Sequence, residues 1–330
     1  MAEASFGPAS PSLGISQKLL LSWNLLQAED ELRTPVDAFG SELPFQINLG
    51  ESPSSVARRL EMDGLIANAA AFRNFLIYSG LDTQLQAGDY TLSPAHSAVE
   101  IAHQLQDATP AEVAFAVLAG WRLEEVAASL PTSGLTISPE LLLAEARKRN
   151  LEGYLLPGVY TVPRTISAKA LLNLLSNAFE EAMTSELQAG FSNQGLTVDQ
   201  AVRLASIVER EAMNANEQPL IASVFLNRLA AGMKLDADPT VQYAVGYNEA
   251  QNTWWTNPLS GADLAFDSPY NTYIYAGLPP GAICSPSLDA LRAVAFPAQT
   301  PYYYFRAACD GSGLHNFAET YEEHVGNACP

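Results

Sequence analysis

Gly50-Glu51-Ser52-Pro53-Ser54-Ser55-Val56-Ala57-Arg58-Arg59-Leu60 is echoed 70 residues later by Gly120-Trp121-Arg122-Leu123-Glu124-Glu125-Val126-Ala127-Ala128-Ser129-Leu130. The register then holds, since Gly64 matches Gly134 and Gly88-Asp89-Tyr90-Thr91-Leu92 matches Gly158-Val159-Tyr160-Thr161-Val162. An internal repeat of this period outranks local propensity, because two copies of one sequence pattern must satisfy one folding rule. Each copy opens on an apolar alternation, Phe45–Leu49 or Val113–Leu118, that predicts a strand. A helix follows with Val56 and Leu60, or Val126 and Leu130, on its buried face, then a second helix at about 69–79 or 139–149. Gly64 and Gly134 stand where the first helix must stop and the chain turn, a place that favours positive φ. Each copy is therefore a β-α-α-β unit whose two strands pair on one side while the helices cover the other. Duplication of a stable unit with no binding role explains the second copy as well as retained binding does.

Outward from the repeat, residues 5–14 are rich in Ser, Pro and Gly and predict a flexible lead-in. Ile15 to Leu32 predicts one amphipathic helix, with Leu19, Leu20, Trp23 and Leu26 as its apolar stripe, docked on the domain or lying near a membrane. Downstream, Ser167 to Leu187 predicts a long helix ended by a Gly190–Gly195 break. Thr197-Val198-Asp199-Gln200 is a capping box, and the helix it opens is expected to run to about Met213. A further helix spans Pro219 to Ala231 and stops at Gly232. After that come constrained loops rich in Pro, Asn, Tyr and Ser, a short helix from Ser287 to Ala295, a strand over Tyr302–Ala307 and a closing helix from Ala318 to Val325.

The 330 residues are nearly half apolar, enough for two or three domains. Seventeen basic against 36 acidic residues leave a net charge of -19, which repels nucleic-acid phosphates and anionic lipid, so nucleic acid is excluded as a partner. No run of about 18 apolar residues spans a bilayer, and the Met1-Ala2-Glu3-Ala4 start lacks the basic and apolar regions of a signal peptide. Cys284, Cys309 and Cys329 have no metal spacing, and His96, His103, His315 and His324 form no metal motif, so no metal or cofactor is expected. Cys309 and Cys329 either close a C-terminal loop or stay free.

Phosphate loops, dinucleotide fingerprints, nucleophile elbows and zinc signatures are absent. Acid/base chemistry stays open, because a few carboxylates can break a glycosidic bond without a cofactor. Glu209 follows the apolar run Leu204–Val208 on a helix, where partial burial would raise its pKa and keep it protonated near neutral pH. A surface ion pair with Arg210 or a neighbouring turn accounts for the same residue. Glu211, two positions on, points to another face, so the two carboxyls form no close dyad. Tyr270, Asn271, Tyr273 and Tyr275 either line a carbohydrate cleft or anchor a loop. His315 and Asn316 follow a Gly-Ser-Gly turn, and Arg228 either crosses the cleft or pairs with Glu217 or an aspartate.

Several motifs, in order, carry a resemblance: Ala205-Ser206-Ile207-Val208-Glu209-Arg210-Glu211, Val224-Phe225-Leu226-Asn227-Arg228-Leu229, Asp238-Pro239-Thr240-Val241-Gln242-Tyr243, Ser268-Pro269-Tyr270-Asn271-Thr272-Tyr273, Gly277-Leu278-Pro279-Pro280-Gly281 and His315-Asn316-Phe317. Over residues 40–330 the chain resembles the YceG-like family of endolytic peptidoglycan transglycosylases. The resemblance implies an α+β fold: a LysM-like β-α-α-β module over 40–108, after a 1–39 lead-in, and a YceG-like catalytic region over 109–330 whose first part, 109–165, is the second related unit. It implies cleavage of the MurNAc-GlcNAc β-1,4 bond with formation of 1,6-anhydroMurNAc ends. Glu209 is the implied acid/base. Glu217, Asn227, Arg228, Asp238, Thr240, Gln242, Ser268, Tyr270, Asn271, Thr272, Tyr273, Pro279, His315 and Asn316 are the implied substrate-binding set.

The implied partners are peptidoglycan strands and cell-wall synthases, at the outer face of the bacterial cytoplasmic membrane, with membrane attachment only through an N-terminal anchor that this chain lacks. The chain departs from the family pattern at Ala119, Gly158-Val159, Asp236 and Ala237. A noncatalytic peptidoglycan-binding or scaffold protein is the competing reading, and a carbon–carbon lyase acting on a small aromatic metabolite is a weaker one.

Overall fold

A computed structural model of the chain describes residues 2–108, 112–212 and 214–329. The chain divides into two compact units, Met1–Ala111 and Glu112–Pro330.

The first unit begins with a short helix α1 (Ala2–Phe6), then α2 (Ile15–Gln27) and α3 (Glu29–Arg33). The lead-in expected to be flexible is docked: Phe6 is buried against Phe75, Gly7 carbonyl accepts from Tyr78 Oη at 3.2 Å, and Ser10 N–H donates to Tyr78 carbonyl. The single helix expected over 15–32 is broken at Ala28, and its buried face is Leu21 and Leu25. Leu19, Leu20 and Trp23 of the expected stripe are more than 60% exposed. So many leucines ring this helix that apolar spacing alone fits more than one face, and the packing against the rest of the unit chooses.

The repeat unit follows as β1 (Leu43–Ile47), α4 (Pro53–Met62), α5 (Ala69–Ser79) and β2 (Gly88–Leu92), with α6 (Ala98–Gln104) closing the unit. Its second copy opens the second unit as β3 (Glu112–Val117), α7 (Leu123–Ser133), α8 (Pro139–Lys148) and β4 (Gly158–Pro163). Both strand pairs are antiparallel in one register: Phe45 faces Tyr90 as Phe115 faces Tyr160, and Ile47 faces Gly88 as Val117 faces Gly158. The cores correspond residue by residue, with Val56, Ala57, Leu60 and Leu65 buried in one and Val126, Ala127, Leu130 and Leu135 in the other.

Even the polar detail repeats. Asn68 and Ser138 cap the second helices, and the Tyr90 and Tyr160 hydroxyls each donate to the carbonyl four residues back. Left-handed backbone recurs at Gly50 and Gly120, Gly64 and Gly134, and Gly80 and Asn150. Asn is the side-chain-bearing residue that best tolerates this region, which is how the last pair survives without glycine.

Beyond the repeat lie α9 (Ala168–Ala182), α10 (Ser185–Asn193), α11 (Val198–Glu211), α12 (Gln218–Ala230), α13 (Asp238–Val245), α14 (Gly261–Leu264) and α15 (Leu288–Ala295). The long helix expected from Ser167 is two helices, because the Thr184 hydroxyl caps a new one by accepting from Leu187 N–H. Gly190 is no break. It sits inside α10, where a Cβ would stand 2.7 Å from Ala295 Cβ, so its missing side chain lets α10 approach α15.

Thr197 and Gln200 make both bonds of the expected capping box. Helix α11 then buries Ala201, Val202 and Leu204 through Val208, and it ends at Glu211; Met213 is outside the described residues. The chain closes with β5 (Tyr304–Ala307), β6 (His315–Ala318) and α16 (Tyr321–Gly326). Ala318, expected to open the last helix, instead ends β6 opposite Tyr304, and Thr320 caps a shorter helix.

The two matched turns give a stability prediction. A Cβ at Gly64 meets nothing within 4 Å, whereas one at Gly134 stands 3.2 Å from Val113 Cγ1, and both residues have φ above +70°. Gly64→Ala is expected to cost about 1–2 kcal/mol from backbone strain alone, and Gly134→Ala more, read as the larger fall in melting temperature.

Candidate active site

Helix α11 carries its two glutamates in different directions, as a turn of about 200° over two residues requires. Glu209 points at α15. Its Oε2 accepts from Ser287 N–H at 3.0 Å and from the Ser287 hydroxyl, and that hydroxyl in turn accepts from Ala290 N–H to cap α15. A carboxylate on the amide end of a helix is favoured by the helix dipole. One oxygen of the expected acid is thus already committed to joining two helices.

Glu211 points elsewhere. It lines a cleft of about 340 Å³ with Arg228, Leu235, Asp236, Asp238, Tyr273, Tyr304, Phe305, Tyr321 and His324. Burial, and secondarily the Asp238 carboxylate, push its carboxyl up to about 8, against the pull of Arg228 and Arg210. Arg228 is in no position to neutralise it fully, because it is engaged by backbone carbonyls and by Asp236. Its Nε donates to Tyr303 carbonyl at 2.6 Å, and its NH1 donates to Leu235 carbonyl at 2.8 Å and to Asp236 Oδ2 at 3.3 Å. Asp238 is held by Tyr273 Oη at 2.7 Å. A carboxyl in such a place stays protonated at neutral pH and has a proton to give.

Glu152 is the other acid pushed up to about 8, by burial and then by Glu124. It accepts from Leu123 N–H and Tyr243 Oη and is not among the residues lining the cleft.

Of the binding residues expected from sequence, Arg228, Asp238 and Tyr273 line the cleft. The others do not line it and are engaged in contacts of their own. Asn227 Nδ2 donates to Thr300 and Tyr302 carbonyls, and Asn271 Nδ2 to Leu264 and Phe266 carbonyls. Thr240 and Thr272 share a buried hydroxyl contact of 2.8 Å, and Gln242 Nε2 donates to Thr256 carbonyl. Glu217 accepts from both the backbone N–H and Nδ1 of His315, at 2.9 and 3.0 Å.

Ser268 Oγ accepts from Tyr270 N–H, the Tyr270 ring packs on Tyr243, and Pro279 carbonyl accepts from Arg203. Asn316 pairs with Arg306 across the small sheet and is exposed. The sequence reading weighed Glu211 only as the neighbour of Glu209 and gave no site role to Tyr304, Tyr321 or His324, which line the cleft.

The second repeat copy is fastened to this region within the same unit. Trp121 carbonyl accepts from Ser285 N–H at 2.7 Å and Gly120 N–H donates to Ser285 carbonyl at 2.8 Å. The Arg122 guanidinium lies between the Tyr243 and Trp254 rings, 4.2 and 4.4 Å from their centroids. Arg210, between the two glutamates of α11, stacks on Trp255 at 3.9 Å, and Trp255 Nε1 donates to Glu125.

The YceG-like family pattern matches residues 45–329. An endolytic murein transglycosylase of Bacillus subtilis strain 168 is 29% identical over 315 residues, 86% of this chain and 84% of that protein. One from Streptococcus pneumoniae is 27% identical over 89% of this chain, which spans 59% of that longer protein. The crystal structure of a yceG-like protein from Listeria monocytogenes is 30% identical and superposes with a TM-score of 0.54, over 87% of this chain and 99% of that one. With the match running through both repeat copies, the α11 motif and the cleft, the chain belongs to the YceG-like family.

Proposed function

We propose that this chain is an endolytic murein transglycosylase whose acid/base is Glu211, in place of the Glu209 expected from sequence. The observation that carries the reading is a carboxyl in an open cleft with its pKa pushed up to about 8. The protonated Glu211 gives its proton to the oxygen linking MurNAc C1 to GlcNAc O4, and the bond breaks through an oxocarbenium-like state. The resulting carboxylate takes the proton of the C6 hydroxyl of the same MurNAc, whose oxygen closes on C1 as a 1,6-anhydro ring. One residue serves both steps, because giving the first proton creates the base that the second requires. Tyr273 and Asp238 hold the neighbouring wall, and Arg228 fixes the chain around Leu235 and Asp236.

The activity named for the Bacillus relative, which this chain matches over most of both lengths, supports the reaction class. The first β-α-α-β unit acts as a LysM-like module over about 40–108 that holds the glycan, with 109–330 as the catalytic region. The substrate lies in the cell wall, outside the cytoplasmic membrane, where synthases supply the strands. Among the described residues no helix is long and apolar enough to cross a membrane. The Cys309–Cys329 disulfide suits an oxidising compartment, while Cys284 is buried and free.

With uncrosslinked glycan strands as substrate and mass spectrometry of the ends, Glu211→Gln is expected to lower formation of 1,6-anhydroMurNAc ends at least about 100-fold. Glu209→Gln is expected to cost about 1 kcal/mol of stability through the weakened Ser287 contact and to keep activity within a few-fold. The reverse ranking would return the role to Glu209, and parent-level cleavage by Glu211→Gln would remove Glu211 from the reaction.

The pH dependence has a definite sign. The free enzyme must hold the Glu211 proton, so kcat/KM is expected to be flat below about 8 on the alkaline side and to fall about tenfold per pH unit above it. An alkaline limb placed near pH 5 would contradict this assignment.

A further inference from the structure

Helix α16 places Tyr321 and His324 three residues apart, and both line the Glu211 cleft. Tyr321 is 62% exposed, unusual for an aromatic side chain lining a cleft with an acid. Its ring is not loose. It sits 6.0 Å from the Tyr304 ring and 6.2 Å from His324, and His324 lies 5.4 Å from Tyr304. Tyr304 in turn carries the Arg228 guanidinium over its ring at 5.2 Å, so this aromatic wall is continuous with the cleft floor. The Cys309–Cys329 disulfide closes the loop that contains β6 and α16, holding the helix near the end of β5.

His324 has an unmet hydrogen-bonding requirement: its Nδ1 is buried with no partner. Burial, then Arg306 and Arg228, push its pKa down, so the ring is neutral at pH 7. A neutral imidazole carries one proton, so one ring nitrogen donates and the other accepts. Asp236 and Asp238 beside Glu211 outnumber the Arg228 guanidinium in the cleft lining, which disfavours an anionic ligand.

We propose that Tyr321 and His324 form a sugar subsite of this cleft, which takes an uncharged N-acetylated aminosugar by ring stacking on Tyr321 and a hydrogen bond from His324 to a hydroxyl or acetamido oxygen. An exposed ring face next to a single donor suits a pyranose, which offers an apolar C–H face and polar edges. This rests on Glu211 marking the cleavage point, yet it is testable apart from cleavage.

Binding of chitotetraose, an oligomer of N-acetylglucosamine, is measured by calorimetry on the full chain carrying Glu211→Gln, and melting temperature confirms the fold of every variant. Adding Tyr321→Ala is expected to weaken binding about tenfold, with Tyr321→Phe restoring most of it, and His324→Phe to weaken it several-fold. On glycan strands, with Glu211 intact, Tyr321→Ala is expected to raise KM about tenfold and change kcat less than twofold. Unchanged binding and KM in folded Tyr321→Ala and His324→Phe chains would overturn the subsite. So would a fall in kcat at constant KM, or no measurable binding by the Glu211→Gln chain. If Glu211→Gln still cleaves while the Tyr321 and His324 effects on binding persist, the acid assignment fails and the subsite stands.

Discussion

The site depends on where helix α11 surrenders its last turn. Seven of its residues are buried apolar or small side chains, so the helix is fixed in rotation by packing, and every outward side chain has a set direction. A carboxyl brought out of water at the end of such a helix must be paired, bonded or neutral. Glu209 takes the bonded solution against Ser287. Glu211 has Asp238 beside it and a cation whose hydrogens go largely to carbonyls, so it is left neutral. The same physics that makes its ionisation unfavourable makes it a donor of protons.

Duplication of the β-α-α-β unit shows how one scaffold acquires two settings. The buried positions are kept in type and register, which is what a small core enforces. The first turn differs. Where the first copy uses Ser52 as an ordinary helix cap, the second has Arg122, which lies between Tyr243 and Trp254. Beside it, Gly120 allows Arg210 to pass: a Cβ there would lie 3.1 Å from NH1. One copy keeps a hydroxyl at its helix start, and the other uses the same position to hold α13 through the Tyr243 ring and carbonyl.

The loops after α12 illustrate how polar motif residues serve geometry. Asn227, Asn271, Thr240 and Thr272 direct their side chains into backbone carbonyls or into one another. Each gives a partner to a polar group of the irregular chain. Glu217 does the same for the start of β6, by gripping His315 at two atoms. The cleft is then lined largely by side chains that these bonds leave in place.

The sequence alone determined the repeat, its strands and helices and the capping of α11, because these follow from apolar period, cap chemistry and turn residues, all local properties. It also held that two glutamates two residues apart on α11 face different ways. It did not determine that Glu211 lines the cleft while Glu209 bonds Ser287, because that depends on α15 and on the 235–238 and 273 segments, which lie far along the chain and contribute through space. For the same reason the apolar face of α2, the division between α9 and α10, and the cleft-lining role of Tyr321 and His324 came only with tertiary structure: packing partners, absent from any local window, decide which of several permitted faces is buried.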